Sequence, residues 1–332
     1  MNLQYRIDLL CRLGEYILSG DEHWQEAKER AGRENGWFIP EFVDLASTTI
    51  ARSFLERDVL EKWVTEYHLP NHIKESKHIG VVMAGNIPLV GFHDWLCIFI
   101  SGHKAVVKPS SRDRVLIEHL AGILEEWDAI TKEATQFSEM LKGCDAYIAT
   151  GSNNSSRYFE YYFGKYPHII RRNQTSVALL TGEESNEELG KLADDVYLYF
   201  GLGCRNVTKI YAPGKYDFVP LLAAFKKYDY MVGHNKYKNN FDYNLALHLL
   251  NKKYYMTNGS ILLVEEASVF SPISQLNYEF YDHKKELIAF LRSRDDLQGI
   301  ISKEYIPFGQ SQHPAIDNYA DGVDTLRFLV NL

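Results

Sequence analysis

The chain has 332 residues, 45% hydrophobic and 24% charged, with a formal net charge of −8 at pH 7. That is enough apolar sequence for a large core shared between two domains, and an acidic balance with no Lys/Arg block excludes a nucleic-acid surface. Cys11, Cys97, Cys144 and Cys204 are far apart and lack paired metal spacing, so the reading is no metal site, no disulfide framework and reduced thiols in the cytoplasm.

From the N-terminus, charges interrupt the first apolar residues, so neither a signal peptide nor a membrane span is read there. Leu3, Ile7, Leu10 and Ile17 recur at helical spacing, and a second amphipathic stretch covers 42–67; together they are expected to pack as a cap on the region beyond Ile79. The longest apolar stretch, 88–100, is broken by His93 and Asp94 and is too short for a bilayer. From Ile79 short apolar runs alternate with helical patterns: strand 79–84, helix 88–101, strand 105–107, helix 112–127, strand 146–149 and helix 152–163. A strand at 177–180 and a helix at 186–200 continue the series. Such alternation predicts a parallel sheet with helical crossovers.

Cys204 lies in Phe200-Gly201-Leu202-Gly203-Cys204-Arg205-Asn206, between that helix and the apolar run 207–211. A thiol on a Gly-rich bend is open to substrate, and glycines let other backbone approach; the alternative is a buried small hydrophobe. Asn86, in Met83-Ala84-Gly85-Asn86-Ile87-Pro88, follows a strand, and its amide suits either an oxyanion or a helix cap. Lys108, in Val106-Val107-Lys108-Pro109-Ser110-Ser111, ends a strand at the carboxyl edge, where open α/β sheets bind ligands, although such lysines are also simply solvated. In Ala149-Thr150-Gly151-Ser152, Gly151 and Ser152 open a helix whose N–H groups suit a pyrophosphate, or which Ser152 caps. There is no G-x-G-x-x-G, which counts against an ordinary Rossmann dehydrogenase. His234 begins a polar, aromatic stretch and reads as a proton donor or a solvent-facing helix start.

In this order the four segments resemble the aldehyde dehydrogenase superfamily, and their wording is closer to its acyl-CoA or acyl-protein thioester reductase branch, which includes the fatty-acid reductases of bacterial luminescence. The resemblance runs from about Ile79 to the C-terminus. It implies an α/β, aldehyde dehydrogenase-like fold: two α/β domains with mainly parallel sheets and an N-terminal helical region. Residues 1–177 would hold the helices and the nucleotide-binding domain, and 178–332 a catalytic domain ending in a short strand at 326–330. Cys204 would be the nucleophile, Asn86 the oxyanion donor and His234 a proton donor. Lys108 would meet the adenosine ribose of NADPH with Ser110 nearby, and Gly151 and Ser152 the pyrophosphate. The expected partners are an acyl-CoA or acyl-carrier protein thioester and an acyl-transfer enzyme, with a homo-oligomer possible.

Two departures from the family pattern refine this. Val269-Phe270-Ser271-Pro272-Ile273 and Pro307-Phe308-Gly309-Gln310 resemble late superfamily segments, but Ser268 stands where the ribose-binding Glu is expected. The stretch matching the catalytic Glu is Ile170-Arg171-Arg172-Asn173-Gln174-Thr175, without a carboxylate. Arg171 and Arg172 are candidates to steady phosphates or a carboxylate, or are simply solvated, and Glu183 and Glu184 read as loop or cap acids. An enzyme that reduces thioesters needs no hydrolytic water, so NADPH-dependent reduction to an aldehyde is the expected activity. Aldehyde oxidation, a Cys acyltransferase or hydrolase, and a non-enzymatic scaffold subunit of a fatty-acid pathway are the alternatives.

Overall fold

The computed structural model describes residues 1–152 and 154–332. They form two compact units, 1–173 with 314–332, and 174–313.

The first unit opens with helices α1 (Leu3–Leu18), α2 (Glu22–Glu34), α3 (Pro40–Phe54) and α4 (Arg57–Glu66). Asn2 caps α1 by accepting the Tyr5 N–H at 2.8 Å, and Ile7, Leu10, Leu13 and Ile17 form its buried stripe. The 42–67 stretch is therefore two helices, broken at Leu55 and Glu56. Helix α2 escapes the sequence pattern because it is mostly charged and buries little beyond Trp24, Ala27 and Ala31.

There follow β1 (His78–Val82), α5 (Phe92–Ser101), β2 (Lys104–Lys108), α6 (Val115–Trp127), β3 (Thr135–Phe137), β4 (Ala146–Thr150), α7 (Asn153–Phe163) and β5 (His168–Arg171). The strands pair in parallel in the order β3-β2-β1-β4-β5. The chain builds outward from β1 through β2 to β3, then crosses to the other side for β4 and β5. This places a topological switch point between β1 and β4. Helices α5 and α6 start three or four residues later than their apolar patterns suggest, because Leu89 is left-handed (φ 56°) and a turn closes from Asp113 N–H to Ser110 O.

The second unit contains β6 (Thr175–Leu179), α8 (Asn186–Tyr197), β7 (Val207–Pro213), α9 (Val219–Ala224), α10 (Asn235–Leu250), β8 (Met256–Thr257), β9 (Leu262–Glu265), β10 (Gln275–Tyr281), α11 (Lys284–Arg292) and β11 (Leu297–Ile301). Its sheet runs β11-β6-β7-β10-β9-β8, parallel except for β8 against β9. A capping box formed by Ser185 and Glu188 starts α8.

Two expectations change. The segment at 326–330 is not a strand but part of a helix, α12 (Thr325–Val330): Asp324 caps it through the Arg327 N–H at 2.8 Å, and fully buried Leu326 and Leu329, three apart, share one side of a turn. The division between units falls at 173/174, and 314–332 returns to the first unit instead of ending the second. There Trp63 Nε1 donates to Tyr319 at 3.0 Å, and Tyr67 donates to Asp324 at 2.7 Å. Among the described residues no helix is long and apolar enough to cross a membrane.

Candidate active site

Three of the segments singled out in the sequence meet at one edge of the first unit's sheet. Register sets Val82 beside Lys108 on one side and Ala149 on the other, so the Asn86 turn, the Lys108 loop and Gly151 leave the carboxyl ends of adjacent strands. That edge includes the switch point, where open α/β sheets take ligands. Lys108 is exposed and Ser110 half-buried. Gly85 lies so close to the loop that a Cβ there would sit 2.6 Å from Ser110 Cβ and Oγ. Asp113, buried behind it, accepts the Leu89 N–H at 2.7 Å; burial pushes its carboxyl up to about 7, opposed by the Leu89 and Val90 N–H groups.

Gly151 packs against α7, where a Cβ would meet Ser155 and Phe159 at 2.9 and 2.8 Å. Ser152 is the N-cap of α7, its hydroxyl accepting the Ser155 N–H at 3.2 Å. The cap role foreseen as an alternative is present, and the exposed helix start remains suited to an anion.

Arg171 does not steady a ligand phosphate. It is buried, paired with Asp94 at 2.5 Å and donating to Thr325 Oγ1 at 2.7 Å, and so anchors α12 to the first unit. Arg172 is exposed and faces Glu160 at 3.5 Å.

In the second unit Cys204 precedes β7, so it stands at the amino end of its sheet. The chain reaches it through Tyr199, Phe200 and Gly201, all left-handed with φ 56°, 56° and 73°. Each non-glycine residue in that conformation costs about 1–2 kcal/mol, so the bend persists because its surroundings impose it. Asn206 does much of this. Its fully buried amide donates to the carbonyls of Asp195 and Leu198 at 3.1 and 2.8 Å, and its Oδ1 accepts the Gly203 N–H at 2.8 Å. Ser176 on β6 donates its hydroxyl to the Cys204 carbonyl at 3.3 Å and its N–H to Asn206 O at 3.1 Å.

The Cys204 thiol is half-buried. Beside it, burial pulls the Arg205 guanidinium below its ordinary pKa while the charge of Cys204 pushes the other way. Burial raises the other three thiols, Cys11, Cys97 and Cys144, above the usual value.

His234 is the N-cap of α10, its Nδ1 accepting the Tyr237 N–H at 3.4 Å, and its ring packs on Phe200 with centroids 4.5 Å apart. It thus supports the left-handed bend. Glu184 closes its own turn by accepting from Thr181 N–H and Oγ1, both at 2.7 Å, and Glu183 is exposed. Ser268 folds onto Phe270, and the carbonyls of this loop are held from β7 and β10: Lys209 donates to Ala267 at 2.7 Å, Thr208 to Val269 at 2.6 Å, and Asn277 to Ser268 at 2.9 Å.

Asp113, Asn206 and Asp195 went unnoticed in the sequence. Asn206 offered a signal in its place two residues after Cys204, whereas the two aspartates look like ordinary surface acids beside charged neighbours.

No family model matches the sequence, and no curated protein matches it. Solved structures do. Aldehyde dehydrogenase 21 from Physcomitrella patens, in complex with the reaction product succinate, superposes with a TM-score of 0.69 at 14% identity over 91% of this chain and 74% of that one. An aldehyde dehydrogenase C mutant from Pseudomonas syringae, with NAD+ and octanal, gives 0.65 at 12% over 91% and 72%. The NAD+ complex of an aldehyde dehydrogenase from Bacillus cereus gives 0.65 at 14% over 89% and 70%. The chain has the aldehyde dehydrogenase-like fold.

Proposed function

We propose that this protein is an NADPH-dependent reductase of acyl thioesters, acting through a covalent acyl intermediate on Cys204. The observation that carries the reading is the half-buried Cys204 on a strained, Asn206-locked bend beside Arg205, in a fold shared with solved aldehyde dehydrogenases that hold NAD+ or product. The likeness supports aldehyde-related oxidoreductase chemistry in general; the finer reading rests on the resemblance of the motifs to the acyl-thioester reductases and on the missing carboxylate at 170–175.

The Cys204 thiolate attacks the thioester carbonyl. A C–S bond to Cys204 forms, and the carrier thiolate leaves and takes a proton. Asn86 and backbone N–H groups are assigned to the oxyanion of the tetrahedral intermediate. The chain's residues fit a dinucleotide: exposed Lys108, Ser110 and the start of α7 lie at adjacent strand ends around the switch point, with Lys108 for the ribose and Gly151 and Ser152 for the pyrophosphate. When bound, the nicotinamide would supply the hydride, two electrons and a hydrogen, that reduces the acyl carbon to the thiohemiacetal level. Collapse of the resulting Cys204 thiohemiacetal breaks the C–S bond, releases the aldehyde and restores the thiolate. His234 is assigned to the proton transfers, from its place against Phe200. No carboxylate occupies 170–175 to activate water, which favours reduction over hydrolysis.

The test is to mix the protein with acyl-CoAs of several chain lengths, follow intact mass, then add NADPH and measure aldehyde. A Cys204 acyl adduct that NADPH converts to aldehyde is expected. Free acid as the main product, or no adduct with any acyl-CoA, would overturn the assignment.

A further inference from the structure

We propose that Asp113 is a positioning residue that fixes the pose of the Asn86 turn and joins it to the loop carrying Lys108 and Ser110. The inference rests on the reading of Asn86 as the oxyanion donor, and its geometry lies wholly within the first unit.

The Asn86 turn is bracketed at both ends by one loop. On the near side, Gly85 is pressed against Ser110 and Asp113: a Cβ would lie 2.6 Å from Ser110 Cβ and 3.2 Å from Asp113 Cβ. On the far side, Asp113 Oδ2 accepts the Leu89 N–H at 2.7 Å, and the Val90 N–H also bonds this carboxyl. Between the brackets lie Asn86, Ile87 and Pro88. Asp113 is itself held by its own N–H, which donates to Ser110 O at 3.1 Å.

Two features indicate that position, and not stability, is what this carboxyl serves. Leu89 is buried and left-handed at φ 56°, a conformation that a branched residue does not choose unaided. Asp113 Oδ1 is buried with no hydrogen-bond partner, an arrangement that destabilises the fold. An apolar residue at 113 would spare the fold that orphan oxygen but would release the Leu89 and Val90 amides. The same loop bears Lys108 and Ser110, so a ligand that orders it also stiffens the Asn86 turn, by linkage.

Hydrogen exchange of a peptide spanning Asn86 to Phe92, compared in the wild-type protein, Asp113→Ala and Asp113→Asn, decides the clamp without any substrate. Exchange at Leu89 and Val90 should be roughly tenfold or more faster in Asp113→Ala and intermediate in Asp113→Asn, which keeps one carbonyl acceptor. The rate of Cys204 acylation should fall about as much, with the half-saturating acyl-CoA concentration little changed, the mark of an interaction made in the transition state. Unchanged exchange in a folded Asp113→Ala overturns the clamp. Faster exchange with unchanged acylation overturns the positioning role. A wild-type chain that takes up no acyl group overturns the thioester reading instead, and the exchange comparison still decides Asp113. Should Asp113→Ala not fold, Asp113→Asn carries both measurements.

Discussion

Asn206 donates its side-chain amide to the carbonyl of Asp195 at 3.1 Å, while the Asp195 carboxylate accepts the N–H groups of Gly309 and Ser311 at 2.7 and 3.0 Å. One residue at the end of α8 therefore holds two segments at once: the bend that presents Cys204 and the Pro307-Phe308-Gly309-Gln310 stretch. The bend that carries Cys204 is thus held by buried polar bonds.

Asn206→Ala should both destabilise the second unit and disable the thiol. The change leaves the Gly203 N–H and two helix-end carbonyls without their partner, at about 1–3 kcal/mol for each buried group left unpaired. A lower melting temperature together with slower iodoacetamide labelling of Cys204 is expected. Full labelling at the wild-type rate in a folded variant would show that the bend needs no such lock.

Thiol chemistry should be selective. At neutral pH iodoacetamide should modify Cys204 first, since Cys97 and Cys144 are buried and burial raises their thiols. Cys204→Ala should abolish the acyl adduct, and Cys97→Ala and Cys144→Ala should keep it. Arg205→Gln should slow labelling several-fold by removing the neighbouring cation. Peptide mapping of the labelled sites checks all four.

Lys108→Ala should weaken NADPH binding on the order of tenfold, as expected for one lost charge-assisted contact, and leave acylation of Cys204 nearly unchanged. Fluorescence titration of the dinucleotide is the measurement. Equal affinity in the variant would remove Lys108 from the cofactor site.

Asp195 should make stability fall as pH rises. Burial lifts its carboxyl from 3.8 to about 6, against the pull of the Gly309 and Ser311 N–H groups. A raised folded-state value means that the contribution is fully present below about pH 4 and is lost as pH passes through about 6, with a span of roughly 3 kcal/mol. Urea melts of the wild type and Asp195→Asn across this range test it. The stability difference between them should shift against the wild type with rising pH, and a flat difference would mean that the carboxyl is not strained by burial.

The acyl-enzyme should persist in water. Without a positioned base, hydrolysis forgoes roughly 10²–10⁴-fold of acceleration, so free acid should form slowly and aldehyde quickly once NADPH is added. Rapid acid release without nucleotide would point to a base elsewhere, with His234 examined first.

By itself the sequence determined the elements whose burial is one-sided and local. The runs that became β1, β2, β4 and β6 are short and apolar, α1 repeats its leucines and isoleucines at helical spacing, and the glycines around Cys204 mark a bend. The order of the four segments carried the fold class, because three are strand ends followed by turns and the fourth is a bend that leads from a helix into a strand. Tertiary structure decided what depends on distant backbone. Thr325–Val330 fits a strand or a helix equally by composition, and burial of Leu326 and Leu329 against the first unit selects the helix. Asp113 and Asp195 resemble solvated acids until their partners are known, and those partners, Leu89 at 24 residues and Gly309 at 114, are backbone amides that any residue type supplies. A buried carboxyl is specified by which N–H groups the folded chain brings to it, and an N–H group leaves no mark in the sequence.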